Sequence, residues 1–300
     1  MGIEYLPAFD RRFPEKLLTI PNPPSGIYFE GKLPDPDKPS VAIIGARVCS
    51  EYGRGAAEYF AKTLAENGIQ IISGMARGID GIGQRSAIMS GGETFGVLGC
   101  GIDVIYPEEN RELFKQVIQH GGLISEYPPG ESGRPAYFSQ RNRIISGLSD
   151  LVLVLEARLH SGTAITVRHA LEQGKDVFAM PGRITDPLSV GCNTLIRDGA
   201  GIALSPEEIL EALGIKQRKK KTARGKAAAG FSGSEAMVLR ALDFKPLSFG
   251  EVLEKTALTP SELTETLLSL QLAGAAKETG RGYYIKKCVI PEEQELTTSF

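Results

Sequence analysis

Much of what this 300-residue chain might be is ruled out by what it lacks. Its four cysteines, Cys49, Cys100, Cys192 and Cys288, are scattered and form no C-x-x-C pair. That argues against a disulfide framework and against a zinc site. No stretch approaches the roughly 20 apolar residues that a membrane span needs, so no membrane partner is expected. The start, Met1-Gly2-Ile3-Glu4-Tyr5, has no basic region followed by an apolar run. It does not read as a secretory leader, and a cytoplasmic protein is expected. Formal net charge is only −2, so affinity for nucleic acid has to come from local clusters of cations.

Nucleotide fingerprints are missing as well. After the apolar run 41–44, a G-x-G-x-x-G turn would need its second glycine where Arg47 stands. No acidic residue closes the second strand to hold a ribose, because Ile72 is followed by Ser73-Gly74. There is no G-x-x-x-x-G-K-[ST] segment either. No Ser or Cys nucleophile has a recognisable partner, His160 is a poor catalytic candidate, and His120 and His169 fall in helical stretches. We therefore expect no catalytic residue, no metal and no cofactor.

What is present is a chain of 42% hydrophobic residues, long enough for two domains with a sizeable core. Residues 1–40 carry Pro7, Pro14, Pro21, Pro23, Pro24, Pro34, Pro36 and Pro39, too many for long regular elements, and read as an irregular arm. From Val41 the pattern becomes apolar strands (41–44, 69–72, 94–98, 122–125, 151–155, 176–179, 201–204) alternating with helical stretches (52–66, 78–90, 108–119, 164–173, 206–213). Near-continuous apolar strands between helices indicate a mostly parallel sheet covered on both faces, an α/β, Rossmann-like, doubly wound domain over 41–213.

Composition then breaks. Residues 214–230 hold seven Lys or Arg and no acid, and read as a basic linker, the sharper alternative being a tether that also touches nucleic acid. Residues 231–287 contain three helical segments, Ser234–Leu242, Ser248–Thr256 and Pro260–Leu272, with N-caps expected at Ser234, Ser248 and Thr259. A glycine-turned hairpin over 277–285 follows, which together describes a winged helix. Its recognition-helix segment, Ser261–Leu272, has Glu262 and Glu265 but no Lys or Arg, so a protein-contact or structural role is favoured over duplex reading. Residues 288–300 read as a tail.

Five short segments follow strands of the one sheet and so meet at its carboxyl edge, where open α/β sheets bind ligands. Gly45-Ala46-Arg47 offers backbone N–H groups and a guanidinium, the alternative for Arg47 being an internal salt bridge. Ser73-Gly74-Met75-Ala76-Arg77-Gly78 opens a helix, and could equally be no more than a tight strand–helix turn. Leu98-Gly99-Cys100-Gly101 is a third Gly-rich turn. Phe138-Ser139-Gln140-Arg141-Asn142-Arg143, read as a loop before an apolar helical turn, combines cations with rings. That combination suits single strands, whose unstacked bases need π-surfaces. The alternatives are a core position for Phe138 and an ion pair of Arg143 with an acid such as Asp150 or Glu156. Ser161-Gly162-Thr163 would add hydroxyl and amide donors. The candidate DNA-binding residues are therefore Gly45, Ala46, Arg47, Ser73, Gly74, Ala76, Gly78, Phe138, Gln140, Arg141, Asn142, Arg143, Ser161, Gly162 and Thr163.

These segments, with Gly45–Gly53, Leu98–Pro107, Phe138–Ser149 and Gly191–Ala200, closely resemble the DNA-processing protein A family (DprA, also called Smf) over about residues 5–287. Ser139 stands where the family usually has Pro, and Gln140 is neutral where some members carry a cation. The resemblance implies a cytosolic bacterial protein that is not an enzyme. Such a protein binds single-stranded DNA at the Rossmann-like edge, protects incoming strands in natural transformation, dimerises, and helps load the recombinase RecA. It further implies that Arg47 and the Arg141–Arg143 segment hold the strand's backbone, with Phe138 against a base or shaping the pocket. Two other classes compete. An enzyme acting on nucleotide monophosphates is disfavoured because 160–166 lacks the Glu of the related phosphoribohydrolase loop P-G-G-x-G-T-x-x-E. A duplex-reading transcription factor would have to work through 231–287.

Overall fold

The computed structural model describes residues 2–216, 231, 233–243 and 246–286. The chain divides into two compact units, 1–218 and 219–300. Residues 217–230 of the expected linker, and the expected tail with Cys288, lie outside the described residues.

The first 40 residues correct the expectation of an irregular arm. Strand β1 (Glu4–Pro7) pairs antiparallel with β2 (Gly26–Gly31), and a short helix, α1 (Glu15–Leu18), lies between them. The prolines sit at element ends or in the links, and Pro7 closes an outermost strand, where a missing N–H costs no ladder bond. Leu6, Phe13, Leu17, Ile20, Ile27 and Phe29 are all buried in one cluster with the main sheet.

The segments beyond alternate strand and helix as expected, with two further helices, Pro135–Gly147 and Val190–Arg197, that the sequence alone does not place. They are β3 (Ser40–Ile44), α2 (Glu51–Glu66), β4 (Gln70–Ser73), α3 (Ile79–Met89), β5 (Thr94–Leu98), α4 (Arg111–His120) and β6 (Gly121–Ser125). Then come α5 (Pro135–Gly147), β7 (Leu151–Val154), α6 (Gly162–Glu172), β8 (Asp176–Ala179), α7 (Val190–Arg197), β9 (Gly201–Ile202) and α8 (Pro206–Ala212). The nine strands run in the order β1-β2-β6-β5-β4-β3-β7-β8-β9. From β6 to β9 every pairing is parallel, and β2 joins β6 antiparallel.

The continuous apolar strands are explained by cover on both faces. On β3, Val41 and Ile43 pack with Phe60, Leu64 and Ile79 of α2 and α3, while Ala42 and Ile44 pack with Ile144 and Val167 of α5 and α6. Successive side chains on a strand point to opposite faces, so a strand buried twice must be apolar throughout. The chain winds outward from β3 through β4, β5 and β6, then returns to place β7 on β3's other side. That reversal opens a crevice above the carboxyl ends of β3 and β7.

The second unit is a winged helix. Helices α9 (Ser234–Ala241), α10 (Phe249–Thr256) and α11 (Pro260–Leu272) pack around Val238, Val252, Leu263, Leu267 and Leu270. A small antiparallel sheet of β10 (Leu247–Ser248), β12 (Tyr283–Lys286) and β11 (Ala276–Gly280) completes it. Ser248 and Thr259 cap α10 and α11 in reciprocal capping boxes with Glu251 and Glu262. The cap of α9 is Gly233, one residue earlier than expected, and Ser234 is the first residue inside the helix.

Candidate nucleic-acid interface

Above the reversal lies a cleft of about 500 Å³. The loop after β3 supplies Gly45, Ala46 and Arg47, and the loop after β4 supplies Ala76. Helix α5 supplies Phe138, Ser139, Arg141, Asn142 and Ile145, and the start of α6 supplies Ser161, Gly162 and Thr163. A narrower recess beside it reaches Gly74, Arg77, Gly99, Cys100 and Tyr106. Ten of the fifteen candidate residues thus line the cleft and Gly74 lines the recess, while Ser73, Gly78, Gln140 and Arg143 line neither.

Helix geometry decides the last two. Residues 138–143 belong to α5 rather than to a loop, with Pro135 in its first turn. Positions 138, 141, 142 and 145 share a face at i, i+3, i+4 and i+7, and that face is the cleft wall. Gln140 points elsewhere and accepts a 3.2 Å bond from the Tyr127 hydroxyl. Arg143 is buried and donates from Nη2 to Glu126 at 2.6 Å, so its partner is neither Asp150 nor Glu156. Tyr137 is likewise turned from the cleft, stacked on Tyr127 at 4.1 Å between ring centroids.

Arg141 reaches the cleft but is committed inward. It is 5% exposed and donates from Nη1 to the carbonyls of Gly74, at 2.9 Å, and Val97. Burial pushes its pKa down to about 10, against the favourable charge of Asp80, and it stays a cation at neutral pH. Asp80 is buried too, accepts from the Gly74 N–H at 3.0 Å, and has its carboxyl pushed up by that burial. Ser73 ties β4 to β3 by donating to the Ile43 carbonyl at 2.7 Å. Gly78 has a positive φ of 69°, and a Cβ there would lie 2.2 Å from the Ala46 carbonyl oxygen. These groups shape the floor and hold the loops against one another.

The groups still open to a ligand are different ones. Arg47 is exposed and makes no ion pair among the described residues, so the internal salt bridge considered for it is not formed. Ser161, at the N-cap of α6, makes no side-chain cap bond, and its Oγ is buried without a partner. Nothing stands within 4 Å of the place a Gly162 Cβ would take, which leaves the amides at the start of α6 approachable. Such an N-terminus attracts anions. Asn142 bridges from α5 to the Gly162 carbonyl at 3.4 Å. The Phe138 ring lies 5.1 Å from that of Tyr106, which is 50% exposed and forms an apolar wall with it. Tyr106 was not singled out by the sequence reading, because only the folded chain brings the loop after β5 against α5. Cys100 is no nucleophile, since burial pushes its thiol up to about 11. Among the described residues no cluster of His, Cys, Asp or Glu suits a metal ion, and no helix is long and apolar enough to cross a membrane.

Fold and site together define a doubly wound α/β protein with a cleft at its topological switch point, lined by Arg47, the start of α6 and the Phe138 and Tyr106 rings, followed by a winged helix. Comparison with known families makes the definition specific. The family model for DNA recombination-mediator protein A matches residues 4–214, and that for the DprA winged helix domain matches residues 222–280. The chain belongs to the DNA recombination-mediator protein A family, whose members process DNA in recombination. Protein Smf of Escherichia coli is 43% identical over 209 residues, which is 69% of this chain but only 56% of that protein's length. DNA processing protein DprA of Streptococcus pneumoniae is 41% identical over 67% of this chain and 71% of its own. The X-ray structure of DprA from S. pneumoniae superposes with a TM-score of 0.65 at 38% identity, covering 70% of this chain and 74% of that one. DNA processing protein A from Helicobacter pylori, whose structure concerns its mode of binding single-stranded DNA, gives 0.64 at 31% identity, covering 71% and 96%.

Proposed function

We propose that the cleft binds single-stranded DNA. We further propose that the protein is a non-enzymatic mediator in the cytoplasm, protecting incoming strands and helping to load RecA during transformation and homologous recombination, as a homodimer. The observation that carries the binding reading is the division of labour in the cleft. Arg141 and Asp80 are committed internally, while Arg47, the amides at the start of α6 and the Tyr106–Phe138 wall face a ligand. One free guanidinium with amide donors fits a phosphodiester, and exposed rings fit unstacked bases. The single-strand binding mode of the H. pylori relative is in keeping with this reading.

The test is fluorescence anisotropy with labelled single-stranded and duplex oligonucleotides across a salt series. Wild type is expected to prefer single strands, and Arg47→Ala to lose most of that affinity and about 0.7 of the log–log salt slope. Equal affinity for duplex, or an unchanged Arg47→Ala, would move the DNA site away from this cleft. The mediator role has its own readout, the rate at which RecA forms filaments on strands pre-coated with the protein.

A further inference from the structure

Helix α2 begins at the switch point, and the N-terminus of the helix in that place is where Rossmann-type folds receive a pyrophosphate. In this protein the seat is filled from within. Glu156, two residues beyond β7, is 1% exposed. The Ser50 N–H donates to its Oε2 at 2.9 Å, and the Ser50 hydroxyl donates to its Oε1. Ser50 Oγ in turn accepts from the Gly53 N–H at 3.1 Å, which makes Ser50 the N-cap of the helix. A Cβ at Gly53 would lie 2.3 Å from the carboxyl group, so only glycine lets the carboxylate settle against the first turn.

Opposing effects meet at this carboxyl. Burial pushes the Glu156 carboxyl up, the Ser50 hydrogen bonds oppose that, and the charged neighbour is another acid, Asp186, rather than a cation. A buried carboxylate with no counter-ion among the described residues needs some other source of positive potential. Here it is the start of a 16-residue helix.

We propose that Glu156 is a built-in anion that occupies the pyrophosphate seat of α2 and thereby sets the ligand class of the protein, refusing free nucleoside di- and triphosphates and dinucleotides there. Removing the carboxylate should then create a pyrophosphate site where none exists. The probe is inorganic pyrophosphate, and the full-length chain is used throughout in an Arg47→Ala background, which takes the exposed cleft cation out of the comparison. With Glu156→Ala added, saturating pyrophosphate is expected to raise the unfolding midpoint by about 5 °C. The background chain with Glu156 intact is expected to move by less than about 1 °C. Glu156→Gln, of equal size, keeps the seat filled and is expected to show no gain.

A Glu156→Ala chain that folds only when pyrophosphate is present would support the proposal most directly. If it fails to fold even then, Glu156→Ser, which keeps a hydroxyl for the Ser50 amide, is expected to show the same rise. The proposal is overturned if a folded open-seat variant is not stabilised by pyrophosphate, or if the Glu156-containing chain is stabilised equally. Failure of both the Ala and Ser variants to fold with pyrophosphate would overturn it too, leaving Glu156 purely structural. Strand binding does not enter this readout, so the outcome is independent of what the cleft holds.

Discussion

Gly74 has no room for a methyl group, because a Cβ would stand 2.8 Å from Asp80 Oδ2 and 2.9 Å from Arg141 Nη2. The loop after β4 is thus gripped between a buried acid and a buried cation, and the two arginines of the cleft do opposite jobs. Removing Arg141 leaves two carbonyls unpaired and Asp80 without its compensating charge, so Arg141→Ala is expected to cost about 3–5 kcal/mol in urea denaturation. Arg47 is exposed, so Arg47→Ala is expected to stay within about 0.5 kcal/mol of wild type. On the proposed function both variants are expected to lose DNA binding, and the denaturation curves separate a lost contact from a lost floor. Asp150 provides a pH test on the far side of the sheet. Burial opposes its ionisation, but Lys16 at 2.7 Å and the Ser40 N–H at 2.9 Å outweigh that and hold the carboxyl below its ordinary 3.8. Its stabilising contribution is therefore complete above the ordinary value and lost as pH falls through the lower native one. Asp150→Asn is expected to flatten the acid limb of stability measured from about pH 6 to about pH 3.

At the scale of elements, periodicity was a sound guide wherever both faces of a segment had a plain character. The strands from β3 to β8 are near-continuous apolar runs and fall within a residue or so of where the sequence places them. Helix α5 was obscured because Arg141 and Arg143 are buried, and a buried arginine looks in sequence like a surface one. The signal that finds it is Pro135 at the helix start, followed by Phe138, Arg141, Asn142 and Ile145 at helical spacing. Read that way, the sequence would have kept Arg141 and Asn142 in the cleft and released Gln140 and Arg143. The first 40 residues misled for a different reason. Prolines exclude strand interiors, yet these sit at element ends or in the links, leaving Tyr5-Leu6 and Ile27–Phe29 free to pair. Phe13, 3% exposed between β1 and β2, tests the point. Phe13→Ala is expected to cost about 3–5 kcal/mol within a single unfolding transition of the first unit, because the segment is core rather than appendage.

For the molecule as a whole, the two units divide the chemistry. Every residue lining the cleft and its recess falls between 44 and 166, so a chain ending at residue 216 is expected to bind a single-stranded oligonucleotide as tightly as the full chain at moderate salt. A large drop in that anisotropy measurement would show that the basic stretch or the winged helix shares the load. The winged helix presents Glu262 and Glu265 along α11, both exposed, so on the proposed function α11 itself is expected to add little affinity for a strand's phosphates. The two margins of the nine-stranded sheet have a consequence of another kind. One border strand ends in Pro7 and the other, β9, is two residues long, so neither offers a foreign strand a row of free amides and carbonyls. On the proposed function the protein would crowd along a filamentous polymer at high local concentration, where blunt margins keep it from growing into aggregates by adding strand to strand.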